Sequence, residues 1–391
     1  MSLKIGVLCT YSFPEGMAPT MRILSYGKGL VENGCNVEVI IFQPKVQESL
    51  ENISGAINDV KYVYSHVRSS YKSRLYKLLI DRPKSLINAV KILYKSHRKC
   101  EYDCVLLSFD SPLYLLFFAP ILKLCGIHLG FIGDEFPEPI RKLKSKIPFH
   151  YTMIYRFVYL FISFRVLMTD TLKEFYNKII TKPTYILCSV IDETRFQNLV
   201  QIPSSRRYLC YMGNMMLAKD NVDNIVRAFN LIKDEYPDMD LHLYGTPNDS
   251  DKQLIQSLIS QLMLDDRVYF MGRTDYDNVP NILHNATILV TSQPDTKRAC
   301  GGFPTKLAEY MMSGTPAIVT DVGEIHLYVQ DGDTIYMVPP QNELAYANKL
   351  SYILKHPDEA LGVATRAYEF AVSNFGAKDV TKPLIDFIKS V

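Results

Sequence analysis

Residues 301–310, Gly-Gly-Phe-Pro-Thr-Lys-Leu-Ala-Glu-Tyr, lead from a glycine-rich turn into a predicted helix that Gly314 ends. The first backbone amides of a helix have no partner within it and suit a phosphate. Lys306 adds a cation in that first turn, where the helix dipole disfavours it unless an anion lies beside it. Glu309, farther along the helix, can accept two hydroxyls of a ribose. The segment therefore predicts a site for a phosphorylated nucleoside, and its other predicted binding residues are Phe303, Pro304 and Thr305.

Residues 208–221 form a second predicted strand, glycine turn and helix. Gly213 in this turn allows the backbone to approach a ligand closely, and Lys219 near the helix start is a further cation. Together the two segments offer a diphosphate two helix starts and two lysines, whereas each residue alone also fits an ordinary turn with surface charges. The same site is predicted to include Asn214, Gly245, Arg273, Lys297 and Arg298.

Short β-rich runs alternate with longer helical stretches along the chain, a pattern typical of parallel sheets covered by helices on both faces. The pattern lapses in the polar stretch 197–207 and then starts again. We therefore predict an α/β fold with two Rossmann-like, doubly wound domains facing across a cleft, lined by the carboxyl ends of their strands. The predicted parts are an amino-terminal domain (1–200), a carboxyl-terminal domain (206–375) and a final helix (376–391) that packs back toward the amino-terminal domain.

The two glycine turns resemble those of the retaining glycosyltransferases of family 4, also called group 1, which have the GT-B fold. Gly213 and Lys219 match the Gly and Lys that hold the donor diphosphate in that family, but Asn214 stands where the family has Arg. Glu309 matches the family's second Glu, which holds the donor ribose. Gly301 stands in place of the first Glu.

The resemblance covers nearly the whole chain and is strongest over residues 208–340. It implies a metal-independent, cofactor-free hexosyltransferase-like enzyme that moves a sugar from a nucleoside-diphosphate donor to an acceptor hydroxyl with retention. The implied pathways are polysaccharide, lipopolysaccharide or glycolipid biosynthesis, and the carboxyl-terminal domain is expected to bind the donor. Lys297 and Arg298, in a predicted loop over 292–300, either replace the cation lost at position 214 or are exposed loop charges. The alternatives are a GT-B nucleotide-sugar epimerase, and a non-catalytic protein that binds sugar nucleotides or polysaccharides, which Gly301 favours.

In the amino-terminal half, residues 13–22 resemble the family's glycine-rich first loop, which faces the donor from the acceptor side. Three carboxylates end predicted strands, where ligand-contacting side chains gather in such sheets. We predict that they contact acceptor hydroxyls, with helix capping as the alternative role of the two aspartates. Asp110 is the candidate catalytic residue, and no nucleophile is assigned. The predicted acceptor-side residues are Gly16, Pro19, Arg22, Asp134 and Glu135.

Charge is unevenly distributed along the 391 residues, although the formal net charge is only +2. Residues 1–190 carry 25 Lys/Arg against 15 Asp/Glu, and residues 61–99 alone carry 11 against one. This basic segment is predicted either to contact an anionic membrane or an acidic acceptor, or to be a solvated helix face. The composition, 48% hydrophobic and 21% charged, excludes a disordered chain, and no nucleic-acid partner is expected.

The sequence argues against several other kinds of site and against export of the protein. The eight cysteines include no CxxC pair and the amino terminus lacks a signal-peptide pattern, so we expect a cytoplasmic protein, alternatively at the inner face of the membrane. Neither a GxGxxG dinucleotide motif nor a P-loop occurs, and the histidines are not at zinc spacing. Asp238-Met239-Asp240 resembles the metal-binding DxD of the other glycosyltransferase fold, but it precedes a strand and is predicted to be a turn.

Overall fold

The computed structural model describes residues 2–16, 18–46, 53–68, 73–99, 101–141, 149–202 and 206–391. The chain forms two compact units: unit 1 comprises Met1–Asp192 and Ala377–Val391, and unit 2 comprises Glu193–Gly376. Unit 2 is therefore an insertion, in sequence, between the last strand and the last helix of unit 1. The first boundary lies at 192/193, whereas the sequence pattern predicted it between 200 and 206.

The main sheet of unit 1 has the strand order β10-β9-β8-β7-β1-β2-β5-β4 and is parallel except at β4. The central strands β1, β7 and β8 are apolar and buried because helices cover both faces. A separate short pair joins β3 to β6. The strands are β1 (Lys4–Cys9), β2 (Asn36–Ile41), β3 (Lys45–Val46), β4 (Ser54–Ile57), β5 (Val60–Tyr64), β6 (Val67–Arg68), β7 (Cys104–Ser108), β8 (Leu129–Gly133), β9 (Phe164–Leu167) and β10 (Thr184–Ile186).

The edge strand β4 corrects the prediction of a wholly parallel sheet, because β4 runs antiparallel to β5. Asn58 and Asp59 connect the two strands, with φ angles of 48° and 60°. A two-residue hairpin needs positive φ at both central positions, and Asn and Asp tolerate that region better than most residues. This Asn-Asp pair before Val60 is the turn signal that the sequence analysis missed.

The helices of unit 1 flank this sheet. Helix α16 packs against α1, where the Asn33 side chain donates to the Lys378 carbonyl at 2.7 Å and to Thr381 Oγ1 at 3.1 Å. Helix α4 contacts both α3 and α6. The helices are α1 (Ala18–Glu32), α2 (Arg74–Tyr76), α3 (Arg82–Lys99), α4 (Pro112–Leu124), α5 (Glu138–Arg141), α6 (Phe149–Tyr159), α7 (Asp170–Asn177) and α16 (Ala377–Ser390), with a π-helical turn (Lys77–Asp81) between α2 and α3.

Unit 2 contains a parallel sheet with the strand order β13-β12-β11-β14-β15-β16. Chain order reverses between β11 and β14, the place where ligands bind in such sheets. The strands are β11 (Arg207–Met212), β12 (Met239–Tyr244), β13 (Val268–Gly272), β14 (Ile288–Val290), β15 (Ala317–Thr320) and β16 (Tyr336–Val338). The helices are α8 (Leu217–Asp220), α9 (Val222–Ile232), α10 (Asp249–Gln261), α11 (Val279–His284), α12 (Lys297–Gly301), α13 (Thr305–Met312), α14 (Glu343–Lys355) and α15 (Pro357–Phe375).

Helix α12 corrects the predicted loop over residues 292–300. The side chain of Thr296 accepts a hydrogen bond from the Ala299 amide and caps the start of this short helix. A Thr followed by Lys, Arg and Ala fits a capped helix start, but the turn is too short for a periodic signal. None of the helices in the described ranges is both long and apolar enough to span a bilayer.

Candidate functional site

Three strand ends of unit 2 are tied together by backbone hydrogen bonds. The Gly213 amide donates to the Tyr244 carbonyl at 2.9 Å, and the Gly245 amide donates to the Gly272 carbonyl at 2.7 Å. Gly245 has a φ of 121°, and a Cβ at that position would lie 1.8 Å from the Gly213 carbonyl oxygen. Glycine at 245 is therefore required for this close approach, and exposed Arg273 follows directly on the same edge of the sheet.

Lys306 lies beneath the Gly213 turn and is held there by two hydrogen bonds. Its Nζ donates to Asp220 Oδ1 at 2.6 Å and to the Tyr211 hydroxyl at 2.9 Å. A Cβ on Gly213 would lie 2.4 Å from that Nζ. The charge of Lys306 is therefore balanced by Asp220 within the protein, and the Lys306 side chain packs against the Gly213 turn.

The carboxyl group of Asp220 is almost completely buried, with 1% of its side chain exposed. Burial alone would raise its pKa, but the nearby ammonium groups of Lys306 and Lys219 lower the pKa below its ordinary value. Asp220 is therefore ionised at neutral pH. Lys219 on α8 is half-buried, and Asn214 on the preceding turn is exposed. Solvent therefore reaches both side chains.

Glu309 on α13 is held by Arg195, which lies in a 3-10 turn at the start of unit 2. Arg195 Nη1 donates to Glu309 Oε1 at 3.1 Å, and Nη2 donates to the Tyr276 carbonyl at 2.7 Å. The guanidinium carbon lies 3.4 Å from the centre of the Tyr276 ring, a cation-π stack. The Arg195 side chain is 9% exposed and that of Glu309 is 25% exposed, so a buried cation orients a carboxylate that solvent still reaches.

The turn between α12 and α13 has a buried side and an accessible side. Phe303 packs its ring against Tyr328 and Phe375, with ring centroids 5.2 Å and 5.8 Å apart, so it anchors the turn in the core. The remaining predicted residues differ in exposure: Pro304 is buried, Thr305 and Arg298 are half-buried, and Lys297 is exposed.

The Asp238-Met239-Asp240 segment was predicted to be a turn, and Asp238 does lie in a turn. The prediction is wrong for Met239 and Asp240, which belong to β12. Arg207 forms a two-point ion pair with Asp238, at 2.7 Å and 3.0 Å. Arg206 does the same with Asp240, at 2.7 Å and 2.8 Å. Both carboxylates thus have arginine partners that explain their presence.

In unit 1, the predicted acceptor-side carboxylates lie together after β7 and β8, each beside an arginine. Arg22 Nε lies 3.0 Å from Asp134 Oδ1. Arg141 Nη2 lies 3.6 Å from Asp110 Oδ2, and its Nη1 contacts Glu135. These residues form a polar cluster with three carboxylates and two guanidinium groups.

The environment of this cluster differs from one carboxylate to the next. Burial raises the pKa of Asp134, and Arg22 partly opposes that effect, while Glu135 and Asp110 add to it. Arg22 is itself fixed, because it donates to the Leu187 and Cys188 carbonyls at 2.8 Å and 3.2 Å. The Asp110 side chain is 43% exposed, so it is the more accessible aspartate. Of the first-loop residues, Gly16 is exposed and Pro19 is half-buried in α1.

The basic segment of residues 61–99 is only partly covered by the structure. Lys72 lies outside the described residues. On α3, Lys84, Lys91 and Lys95 are exposed, which fits both a membrane contact and a solvated helix face.

Five residues with a structural part in these sites were missed by the sequence analysis. Four of them owe their role to a partner more than 80 positions away, as in the Lys306–Asp220 and Arg195–Glu309 pairs, whereas Arg141 contacts the nearby Glu135. The only local signal was the position of Asp220 directly after Lys219. The missed residues are Arg141, Arg195, Tyr211, Asp220 and Tyr276.

Residues 206–356 match the family model described as glycosyl transferases group 1. This part of the chain is similar to group 1 glycosyltransferases. It contains the Gly213 turn, the Lys306–Asp220 pair and Glu309. N-acetyl-alpha-D-glucosaminyl L-malate synthase of Bacillus anthracis is 28% identical to the chain over 190 residues, 48% of this chain and 47% of that protein. The chain thus matches less than half the length of this curated relative.

Solved structures show the same fold for both units of this chain. Sucrose-phosphate synthase from Thermosynechococcus elongatus is 16% identical, with a TM-score of 0.76 and full coverage of both chains. HepE of Anabaena, solved in complex with UDP and glucose, is 13% identical, with a TM-score of 0.73 and full coverage of both chains. The predicted fold class is confirmed: two parallel-sheet α/β domains of the GT-B type.

Proposed function

We propose that this protein transfers a sugar from a nucleoside-diphosphate donor to an acceptor hydroxyl, with retained anomeric configuration and without a metal ion. The observation that carries the proposal is the joint placement of the Gly213 turn and Glu309 within the part of the chain that matches group 1 glycosyltransferases. The Gly213 turn lets the backbone approach a diphosphate closely, and Glu309 offers a carboxylate to a ribose. Biosynthesis of a polysaccharide, lipopolysaccharide or glycolipid is the proposed setting.

Unit 2 is proposed to stabilise the departing diphosphate. Negative charge develops on the leaving group, so donors already fixed around it lower the barrier most. We assign this role to Lys219 and to the amides at the start of α13, while Lys306 stabilises the Gly213 turn. Lys297 and Arg298 are proposed to add the cation that Asn214 does not supply.

Unit 1 is proposed to contact the acceptor through the carboxylate cluster after β7 and β8. Asp110 is the accessible member of the cluster and is the candidate for assisting the acceptor hydroxyl. Asp134 pairs with the buried Arg22, which suits a positioning role. Three carboxylates against two arginines favour an uncharged, hydroxyl-rich acceptor group over an anionic one at this point.

Donor identity is the first experimental question, and UDP-glucose is the first donor to test because HepE was crystallised with it. A donor present at about 100 times its dissociation constant should stabilise the native state by roughly 2.7 kcal/mol. Thermal unfolding with UDP-, GDP- and ADP-sugars therefore should single out one base. Equal melting temperatures with all three families at millimolar concentration would contradict nucleotide-sugar binding.

Lys219→Ala is expected to weaken binding of the nucleoside diphosphate by about 1.5–3 kcal/mol, because it removes a charge-assisted contact to phosphate. Binding of the free nucleoside should be nearly unchanged. Isothermal titration with both ligands measures the difference, and Lys252→Ala, an exposed lysine on α10, is the matched control. A Lys297→Ala/Arg298→Ala protein that binds the diphosphate as tightly as the parent would remove these two residues from the site.

The two alternative functions are separated by the products formed. A GT-B epimerase converts a nucleotide sugar without any acceptor, whereas a transferase releases nucleoside diphosphate in step with acceptor glycosylation. A non-catalytic binding protein, which Gly301 favours, would bind the nucleotide sugar and release nothing. Incubation of the identified donor with and without a glycan acceptor distinguishes the three.

A further inference from the structure

Helices α3, α4 and α6 of unit 1 share an unusual charge composition. Together they carry eight Lys/Arg and no Asp/Glu. Most of these bases are on α3, alongside Lys123 on α4 and Arg156 on α6. These three helices therefore carry a net positive charge, most of it on α3, and have no acidic residue to offset it.

The outward face of α4 is apolar although it is exposed. Leu113 is 76% exposed and Leu124 is 87% exposed. At about 100° per residue, Phe117 and Pro120 lie on the same side of the helix as these leucines. The opposite side, with Leu115, Phe118 and Leu122, is fully buried in the unit. A helix that is apolar on all sides normally lies inside a protein or in lipid.

Helix α6, which packs beside α4, exposes a second apolar stripe. Phe149 is 78% exposed, Phe157 is 48% exposed and Leu160, just past the helix end, is 60% exposed. With Met153, they fall within an arc of about 80° around the helix. Buried Tyr155, Val158 and Tyr159 lie on the opposite side. Large aromatic and aliphatic side chains in such a contiguous arrangement mark a surface that meets a partner.

We infer that the α4–α6 face, defined by Leu113, Phe117, Leu124, Phe149, Met153, Phe157 and Leu160, inserts into the interfacial layer of an anionic lipid bilayer. Apolar side chains at the centre and bases at the edges match such a bilayer in both polarity and charge. The bases of α3, next to α4, face the lipid headgroups. The inference goes beyond glycosyl transfer, since it concerns where unit 1 is held and not what unit 2 binds.

This face also changes the interpretation of the basic segment 61–99. The sequence pattern placed membrane contact in that segment, with the charges as its main attraction. The structure adds an apolar anchor on α4 and α6, and the bases of α3 become the electrostatic rim of the same surface.

Flotation with lipid vesicles tests the inference without any substrate. The parent protein should float with phosphatidylcholine vesicles containing 30 mol% phosphatidylglycerol and remain behind with phosphatidylcholine alone. Leu124→Gln/Phe157→Gln should reduce vesicle partitioning by about tenfold or more, because both large apolar contacts are lost. Leu254→Gln/Leu361→Gln, which changes two similarly exposed leucines on α10 and α15, should float like the parent.

Charge and apolar contributions are separated by a second variant. Lys91→Glu/Lys95→Glu leaves the apolar face intact and should lower partitioning into anionic vesicles, with the loss shrinking at high salt. Equal flotation of the Leu124→Gln/Phe157→Gln protein and the parent would overturn the inference. So would light scattering that shows a dimer abolished by that variant, since a second copy of the chain would then cover the face. Nucleotide titration of each variant reports on donor binding separately, so failure here and failure of the proposed function are distinguishable.

Discussion

Lys306→Met is expected to destabilise unit 2 by about 3–5 kcal/mol, because it leaves the buried Asp220 carboxylate without its cation. Asp220 is 1% exposed and cannot regain water without disturbing the Gly213 turn. Removing both charges should restore much of the loss, so Lys306→Met/Asp220→Asn should be clearly more stable than the single variant. Urea unfolding followed by circular dichroism gives the three free energies.

Lys252→Met is the control, since it removes an exposed lysine on α10. Its effect on the free energy of unfolding should stay within about 0.5 kcal/mol. The pKa of Asp220 is lowered in the folded protein, so the pair stabilises above the ordinary aspartate pKa of about 3.9 and is lost as the pH falls further. A single Lys306→Met variant as stable as Lys252→Met would show that the pair does not hold the turn.

Glu309→Ala should weaken binding of the nucleoside diphosphate by about 1–3 kcal/mol. The ribose hydroxyls lose their hydrogen bonds to water on binding, and the variant lacks the carboxylate that would accept hydrogen bonds from them. Arg195→Ala should have a smaller effect in the same direction, since it frees the carboxylate to rotate without removing it. Titration calorimetry measures both, and Glu369→Ala, an exposed glutamate on α15, is the control.

A ligand without ribose hydroxyls makes the test specific to the proposed contact. The parent protein should bind a 2′,3′-dideoxynucleoside diphosphate more weakly than the ribonucleotide, by roughly the same amount that Glu309→Ala costs. The Glu309→Ala protein should then bind both ligands alike. If the dideoxy and ribonucleotide affinities of the parent are equal, Glu309 does not hold a ribose.

Local patterns were sufficient to predict most of the fold. Alternation of strands and helices gave both parallel sheets, and Gly213 and Gly245 end strands as predicted. The β4–β5 hairpin and α12 were missed because each depends on a few residues of turn chemistry, which periodicity does not register. Such short features need to be looked for individually.

The candidate site was harder to predict, because its charges are paired across the sequence. The sequence places Lys306 in the first turn of a helix, where a cation is favourable only beside an anion. In the structure that anion is the carboxylate of Asp220, 86 positions earlier. Arg195 reaches Glu309 over 114 positions. The exposed stripes on α4 and α6 were likewise hidden, since an apolar helix in a sequence reads as core whichever way it faces.

The insertion of unit 2 into unit 1 has a consequence for the order in which a ribosome completes them. Domains usually fold during synthesis from the amino terminus onward. Here residues 193–376 emerge as an uninterrupted stretch before α16 is made, so unit 2 has all of its residues while unit 1 still lacks a helix. Until then the surface of α1 around Asn33 has no helix to cover it. Unit 1, whose synthesis begins before that of unit 2, is therefore completed after it, when α16 packs against α1.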